Sequence, residues 1–160
     1  MADRQAIVQA IRNADLRGEE LRERIVAGSE TPLVDGEWRV RDALSHLAAR
    51  ANPLPLLYAI TAMSEGDAQM AEFDVEVQNA QQIEERSGNA VSEILDEMHA
   101  AYEEAIGEIE LLDDEILNKS LQLPGMENEI QVSDLLLMSM GMHVDAHLSD
   151  IEAALGTVGN

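Results

Sequence analysis

Four long stretches of this chain carry apolar residues at helical spacing, separated by polar stretches rich in glycine or proline. In the first, Ile7, Ala10, Ile11, Ala14, Leu21 and Ile25 fall on one face with charges between them. This predicts one amphipathic helix over residues 3–27, stopped at Gly28. SETPLVDGEW then reads as a loop. A second helix is expected to begin near Trp38 or Arg39 and to carry Val40, Ala43, Leu44, Leu47 and Ala48. Pro53 and Pro55 each lack a backbone donor, so the helix must kink or restart there before LPLLYAITAM continues it. Residues 64–88 are polar and predict a loop followed by a short helix over 74–86. From Asn89 a third long helix presents Ile94, Leu95, Met98, Tyr102, Ala105, Ile106 and Ile109 on one face and ends near Leu112. DDEILNKSLQLPGMENEI reads as a connector with one short helical turn, and a last helix is expected over 132–155, before Gly156.

Composition narrows the fold class. The chain has 160 residues, which argues for a single domain over 1–160. Hydrophobic residues make up 46% of it but aromatics only 2%, so Leu, Ile, Val, Ala and Met must fill the core. Strands favour aromatic and β-branched residues, whereas Ala, Leu, Glu, Gln, Met and Arg, which this chain prefers, are helix formers. An all-α four-helix bundle follows, with ligand sites built from side chains that project into its centre. WRVRDALSHL at 38–47 and IQVSDLLLMS at 130–139 echo one another in an apolar residue, Val, Asp and Leu at equal offsets. Both are helix starts, where the dipole favours Asp, so the echo is accounted for without duplication.

Charge and cysteine content exclude several function classes. Ten Lys and Arg against 32 Asp and Glu give a formal net charge of -22, which repels phosphate backbones and anionic lipid. Neither nucleic-acid nor membrane binding is expected. There is no cysteine, so thiol nucleophiles, thiolate ligands and disulfides are ruled out. PLPLLYAITAM and LLLMSMGM fall well short of a membrane span, and MADRQAIVQAIRNADL has no apolar block of the signal-peptide kind. The expected location is cytoplasmic.

The chain has four histidines, His46, His99, His143 and His147. His143 and His147 are four apart on a predicted helix, about 6 Å along its axis and ~40° around it, so both rings can reach one ion. Such a pair alone is not specific. His46 lies between Leu44 and Leu47 on an apolar side, where an unpaired imidazole would be left without a partner. It is either a core histidine satisfied by a carbonyl or by Asp42, or the third ligand of a three-histidine site with open positions for water or substrate.

The string from Trp38 through Val40 and Asp42 to His46, with His143 and His147 about a hundred residues later, resembles the DinB-like superfamily. That group includes the mycothiol-dependent maleylpyruvate isomerase metal-binding domain and the bacillithiol transferases. The resemblance spans the whole chain. It implies a four-helix bundle with a long crossover between the second and third helices, and a divalent metal, Zn or Ni, held by His46, His143 and His147. It also implies a low-molecular-weight-thiol-dependent S-transferase or isomerase, with a small-molecule thiol and an electrophilic substrate as partners and a homodimer as the default assembly. A metal-dependent hydrolase on the same ligands, or a non-catalytic metal-binding stress protein, is the alternative. Two departures stand out: Arg39 where members commonly have Ser or Thr, and Ala146 where they commonly have Glu.

The other candidates are secondary. Asp42, Asp145 and Asp150 lie within a turn of the histidines and can accept a ring N–H from them, or stand as carboxylates on a solvated face, the favoured reading for Asp145 and Asp150. His99 is expected in a partly exposed structural role. Met138, Met140 and Met142 are expected in the core or on a dimer surface. Trp38 is expected to pack the start of its helix, where its ring can also border the site.

Overall fold

A computed structural model of the chain describes residues 3–65, 74–123 and 126–156. α1 (Arg4–Gly28) begins where the Asp3 carboxylate accepts the Ala6 backbone N–H at 2.7 Å, satisfying a donor the first turn leaves free. Its buried face is Ile7, Val8, Ile11, Ala14, Gly18, Leu21 and Ile25. That face packs along α5 (Val91–Leu111), which buries Ile94, Leu95, Met98, Tyr102, Ala105, Ile106 and Ile109. The helices come close at Gly18, where a Cβ would stand 3.0 Å from the Met98 methyl.

The turn before the second helix is tight. Leu33 N–H bonds the Trp38 carbonyl at 2.7 Å, and Gly36 between them takes φ 79, a conformation that disfavours a side chain. α2 (Val40–Arg50) then starts with Arg39 as its N-cap. Arginine cannot accept the N–H that Ser or Thr would, yet the cap is secured from the other side. The Asp42 carboxylate accepts the Arg39 backbone N–H at 2.9 Å and its guanidinium through Nε and Nη2, each at 2.9 Å.

The expected break at the prolines is complete. α2 ends at Arg50, and α3 (Leu54–Glu65) starts afresh with the Asn52 side chain accepting the Leu54 N–H at 3.1 Å. α4 (Val75–Glu85) follows and lies on α2 with no residue of its own fully buried. The loop expected before it falls on residues 66–73, outside those described. The long crossover between the second and third bundle helices is thus made of α3 and α4. The connector after α5 holds the expected helical turn, α6 (Asp114–Leu117). It also holds a two-residue strand pair that the sequence reading did not include, β1 (Ser120–Leu121) antiparallel to β2 (Ile130–Gln131).

The last bundle helix departs most from expectation. It runs as α7 (Val132–Leu137), a π-helical segment over Met138–His143, and α8 (Val144–Gly156). Its buried positions Val132, Leu136, Met140, Val144 and Leu148 repeat every four residues. In an α-helix of 3.6 residues per turn that repeat would drift by ~40° each step. The wider π turns absorb the drift and keep one face on the core. Among the described residues no helix is long and apolar enough to cross a membrane.

One core residue is imperfectly accommodated. Tyr102 is fully buried and its hydroxyl has no hydrogen-bond partner among the described residues. Burial first, and Asp15 second, push its pKa up. Tyr102→Phe removes an unsatisfied polar atom while keeping the ring, so it is expected to stabilise the fold by ~1 kcal/mol. Thermal unfolding reads this as a Tm raised by about 2–4 °C. A lowered Tm would show that the hydroxyl is satisfied after all.

Candidate metal centre

α2 is buried around most of its circumference, between α5, α4 and α8. His46 is accordingly only 4% exposed. Its Nδ1–H donates to the Oε1 of Gln82 on α4 at 2.8 Å. That bond fixes the tautomer and leaves the Nε2 lone pair facing the opposite way. His143 closes the π segment and His147 stands one turn into α8.

The Nε2 atoms of His46 and His143 are 3.4 Å apart, and those of His143 and His147 are 3.1 Å apart. All three ligand nitrogens lie within 4.8 Å of one another. The rings meet edge to face at interplanar angles of 82°, 68° and 89°, with their nitrogens converging. Trp38 closes one side, its ring centroid 5.4 Å from that of His46 and 6.1 Å from that of His147. It therefore borders the site as well as packing the helix start.

Electrostatics keep these rings in the form that binds metal. The His46 pKa is pushed down to about 4, by burial first, with the charges of His147, His143 and Arg50 adding to it and the Gln82 bond opposing. Burial also lowers His143, followed by His147 and Arg50, and lowers His147 against the opposing Asp150. His143 is the exposed member and His46 the buried one, so desolvation acts most on His46.

Neutral imidazoles whose lone pairs face each other at 3.1–3.4 Å repel unless a proton or a cation lies between them. A tetrahedral ion with metal–nitrogen bonds of about 2.0–2.1 Å holds its ligand nitrogens ~3.3 Å apart. The donor set fits a divalent ion. Among the described residues no fourth His, Asp or Glu joins the group, which leaves it with the three-ligand pattern of a site open to solvent or substrate.

The low pKa of His46 makes a pH prediction for the metal-free protein. Between about pH 6.5 and 4 the unfolded chain takes up a proton that folded His46 refuses, so stability falls as pH drops through that window. The contribution of His46 is on the order of 3 kcal/mol across it. Urea unfolding in chelator should show this loss in the wild type and a smaller one in His46→Gln. Equal slopes would mean that His46 titrates normally.

No family profile matches the chain, and no curated protein sequence matches it. A solved structure does match: YfiT from Bacillus subtilis, described as a probable metal-dependent hydrolase with an unusual four-helix bundle topology. The two superpose with a TM-score of 0.75 at 16% identity, over 98% of this chain and 87% of that one. The chain has the YfiT fold. At that identity the likeness is one of backbone architecture, and it confirms the all-α four-helix bundle. The site rests on its own residues.

Asp42 among those residues requires a correction to the sequence reading, while Asp145 and Asp150 are exposed, as the favoured reading had them. Asp42 does not accept a histidine N–H, because its carboxylate is taken by Arg39 at the helix cap. Asp145 turns away to Arg17 on α1. Asp150 makes no hydrogen bond to a ring and acts on His147 only through its charge. The partner that orients a ring is Gln82, which no pattern marked, since α4 has neither buried apolar residues nor unusual charge around it.

His99 has the structural role expected of it. It faces Asp15 on α1 at 2.8 Å, with its pKa raised by that carboxylate. Asp15, Glu19 and His99 form a second cluster of possible ligands, but Glu19 is held by Arg22 through two bonds of 2.9 and 2.8 Å. Of the methionines, Met140 is in the core, while Met138 and Met142 are exposed.

Proposed function

We propose that the chain is a divalent-metal-dependent enzyme acting on a small molecule, with hydrolysis as its reaction. The observation that carries this reading is the convergence of three imidazole nitrogens, His46, His143 and His147, with no fourth protein ligand in their group among the described residues. A site closed by four ligands would serve structure, whereas three leave room for chemistry. The description of YfiT as a probable metal-dependent hydrolase supports the choice of reaction. When bound, the ion, zinc or nickel by the chemistry of three imidazoles, supplies Lewis acidity at neutral pH. His46 is aimed by Gln82, burial keeps the rings unprotonated, and Trp38 shields one side of the cluster.

A second reading, thiol-dependent transfer or isomerisation, is favoured by one observation. Asp42 and Asp145 are held by Arg39 and Arg17 and so are not free to act as a base, which leaves Asp150 near His147 as the remaining carboxylate. A thiol of pKa near 8.5 needs less help to ionise than water. The chain has no cysteine, so the sulfur would come from a small cosubstrate acting on an electrophile.

Parallel assays separate the two. Untagged, metal-loaded protein is offered esters, amides and strained rings without thiol, and haloarenes or activated alkenes with several thiols. Chelator-sensitive hydrolysis in the first arm is the expected result. Turnover only in the thiol arm would select the second reading, and none in either would leave a metal-binding protein without catalysis.

A further inference from the structure

We propose that Arg50 binds the carboxylate of a small anionic substrate in a cavity beside the histidine cluster. The cavity, of about 270 Å³, lies where α2, α3, α4 and α7 meet, and Arg50, Leu56, Gln78, Gln82, Leu135 and Ser139 are in its wall. Gln82 is common to both places, lining this cavity while its Oε1 accepts the His46 N–H. Arg50 is also near enough to the cluster for its charge to act on His46 and His143.

Arg50 is unusual among the basic residues of this chain. From Arg4 and Arg17 to Arg22 and Arg86, half-buried arginines elsewhere hold carboxylates. Arg24 has no such partner but is exposed, so water serves it. Arg50 is half-buried and makes no hydrogen bond or ion pair among the described residues, in a chain with 32 carboxylates to choose from. Burial alone lowers its pKa, with no partner to oppose it. A guanidinium held out of water without an anion is unfavourable, and that free energy is recovered when a carboxylate docks on its planar fork through two parallel bonds.

The surroundings specify the ligand further. At net charge -22 the protein repels anions, so an anionic substrate requires a local positive site within about a Debye length, roughly 8–10 Å. The named wall residues supply one cation, two carboxamides and a hydroxyl, together with apolar Leu56 and Leu135. That suits a single carboxylate on a short apolar body better than a dianionic phosphoryl group. The volume lies at the small end for ligand pockets.

As a substrate class, this inference rests on reading the histidine cluster as a reaction centre, but its test does not. Benzoate and its uncharged isostere benzamide are titrated calorimetrically into chelated and zinc-loaded protein at pH 7 and fixed salt, with inorganic phosphate as competitor. Wild type is expected to prefer benzoate at least about tenfold, in both forms. Arg50→Met should abolish the preference, Arg50→Lys retain part of it, and Arg24→Gln leave it unchanged. His46→Ala should lose zinc and still prefer benzoate. If Arg50→Met binds benzoate like wild type, or phosphate displaces benzoate at lower concentration than benzoate itself binds, the proposal is wrong. If His46→Ala loses benzoate while Arg50→Met keeps it, the carboxylate sits at the histidine centre, and the proposal falls while the metal reading stands. If no variant binds zinc and benzoate still depends on Arg50, the metal reading falls and this one stands.

Discussion

Zinc added at 1,000 times its dissociation constant is expected to raise the stability of the untagged wild-type protein by ~4 kcal/mol, a Tm increase on the order of 10 °C. The ion binds only the folded chain, because α2 and α8 are brought together only there to converge His46 with His143 and His147. His46→Ala should lose nearly all of this increase, since the remaining pair at i, i+4 is a far weaker site. His143→Ala and His147→Ala should behave alike. His99→Ala is the control, because its ring is engaged with Asp15 and takes no part in the cluster. If His99→Ala lost the zinc-dependent shift and His46→Ala kept it, the ion would belong to the Asp15, Glu19 and His99 group instead.

The second large effect is expected at Gln82. Its carbonyl oxygen holds the His46 Nδ1–H, so Gln82→Ala frees the ring to rotate and to change tautomer. Metal affinity should fall about 10- to 100-fold, as is usual when a ligand's outer partner is removed. Asp42→Asn provides the contrast. It weakens the bonds to Arg39 at the start of α2 and should lower stability by ~1 kcal/mol, yet leave zinc affinity within about twofold. Asp145→Asn should likewise leave affinity unchanged, since Asp145 faces Arg17. Titration with a competing chromogenic chelator measures all three. A loss of affinity in Asp42→Asn equal to that in Gln82→Ala would return Asp42 to the role that its position in the sequence suggested.

These cases show which parts of the site were legible in the sequence. Helical periodicity located α1 and α5 because each buries one face, and the repeat of Leu and Ile reports that face directly, whereas α2, buried nearly all round, was marked by its run of Val, Ala and Leu. The histidines could be grouped because two share a helix at one-turn spacing and the third lies among buried leucines. The π segment was not legible. Its four-residue repeat differs from 3.6 by less than a short window resolves, and the packing of α1 along this part of the helix selects it. Nor was the fate of Asp42 and Asp145, because a carboxylate's nearest arginine is a property of the fold. Arg39, which departs from the usual cap, carried the one clue: a guanidinium three residues before an aspartate can bind it. Gln82 sits on a helix whose polar sequence hides the single side chain that points inward to His46.

The central claim is that the three histidines hold one ion and leave part of its coordination open. X-ray absorption at the metal edge of the zinc- or nickel-loaded protein tests this most directly. The expected spectrum shows three imidazole nitrogens at about 2.0–2.1 Å with the remaining shell filled by light solvent atoms, and the imidazole signal drops in His46→Ala. A spectrum with four protein ligands, or one that His46→Ala leaves unchanged, would contradict the account.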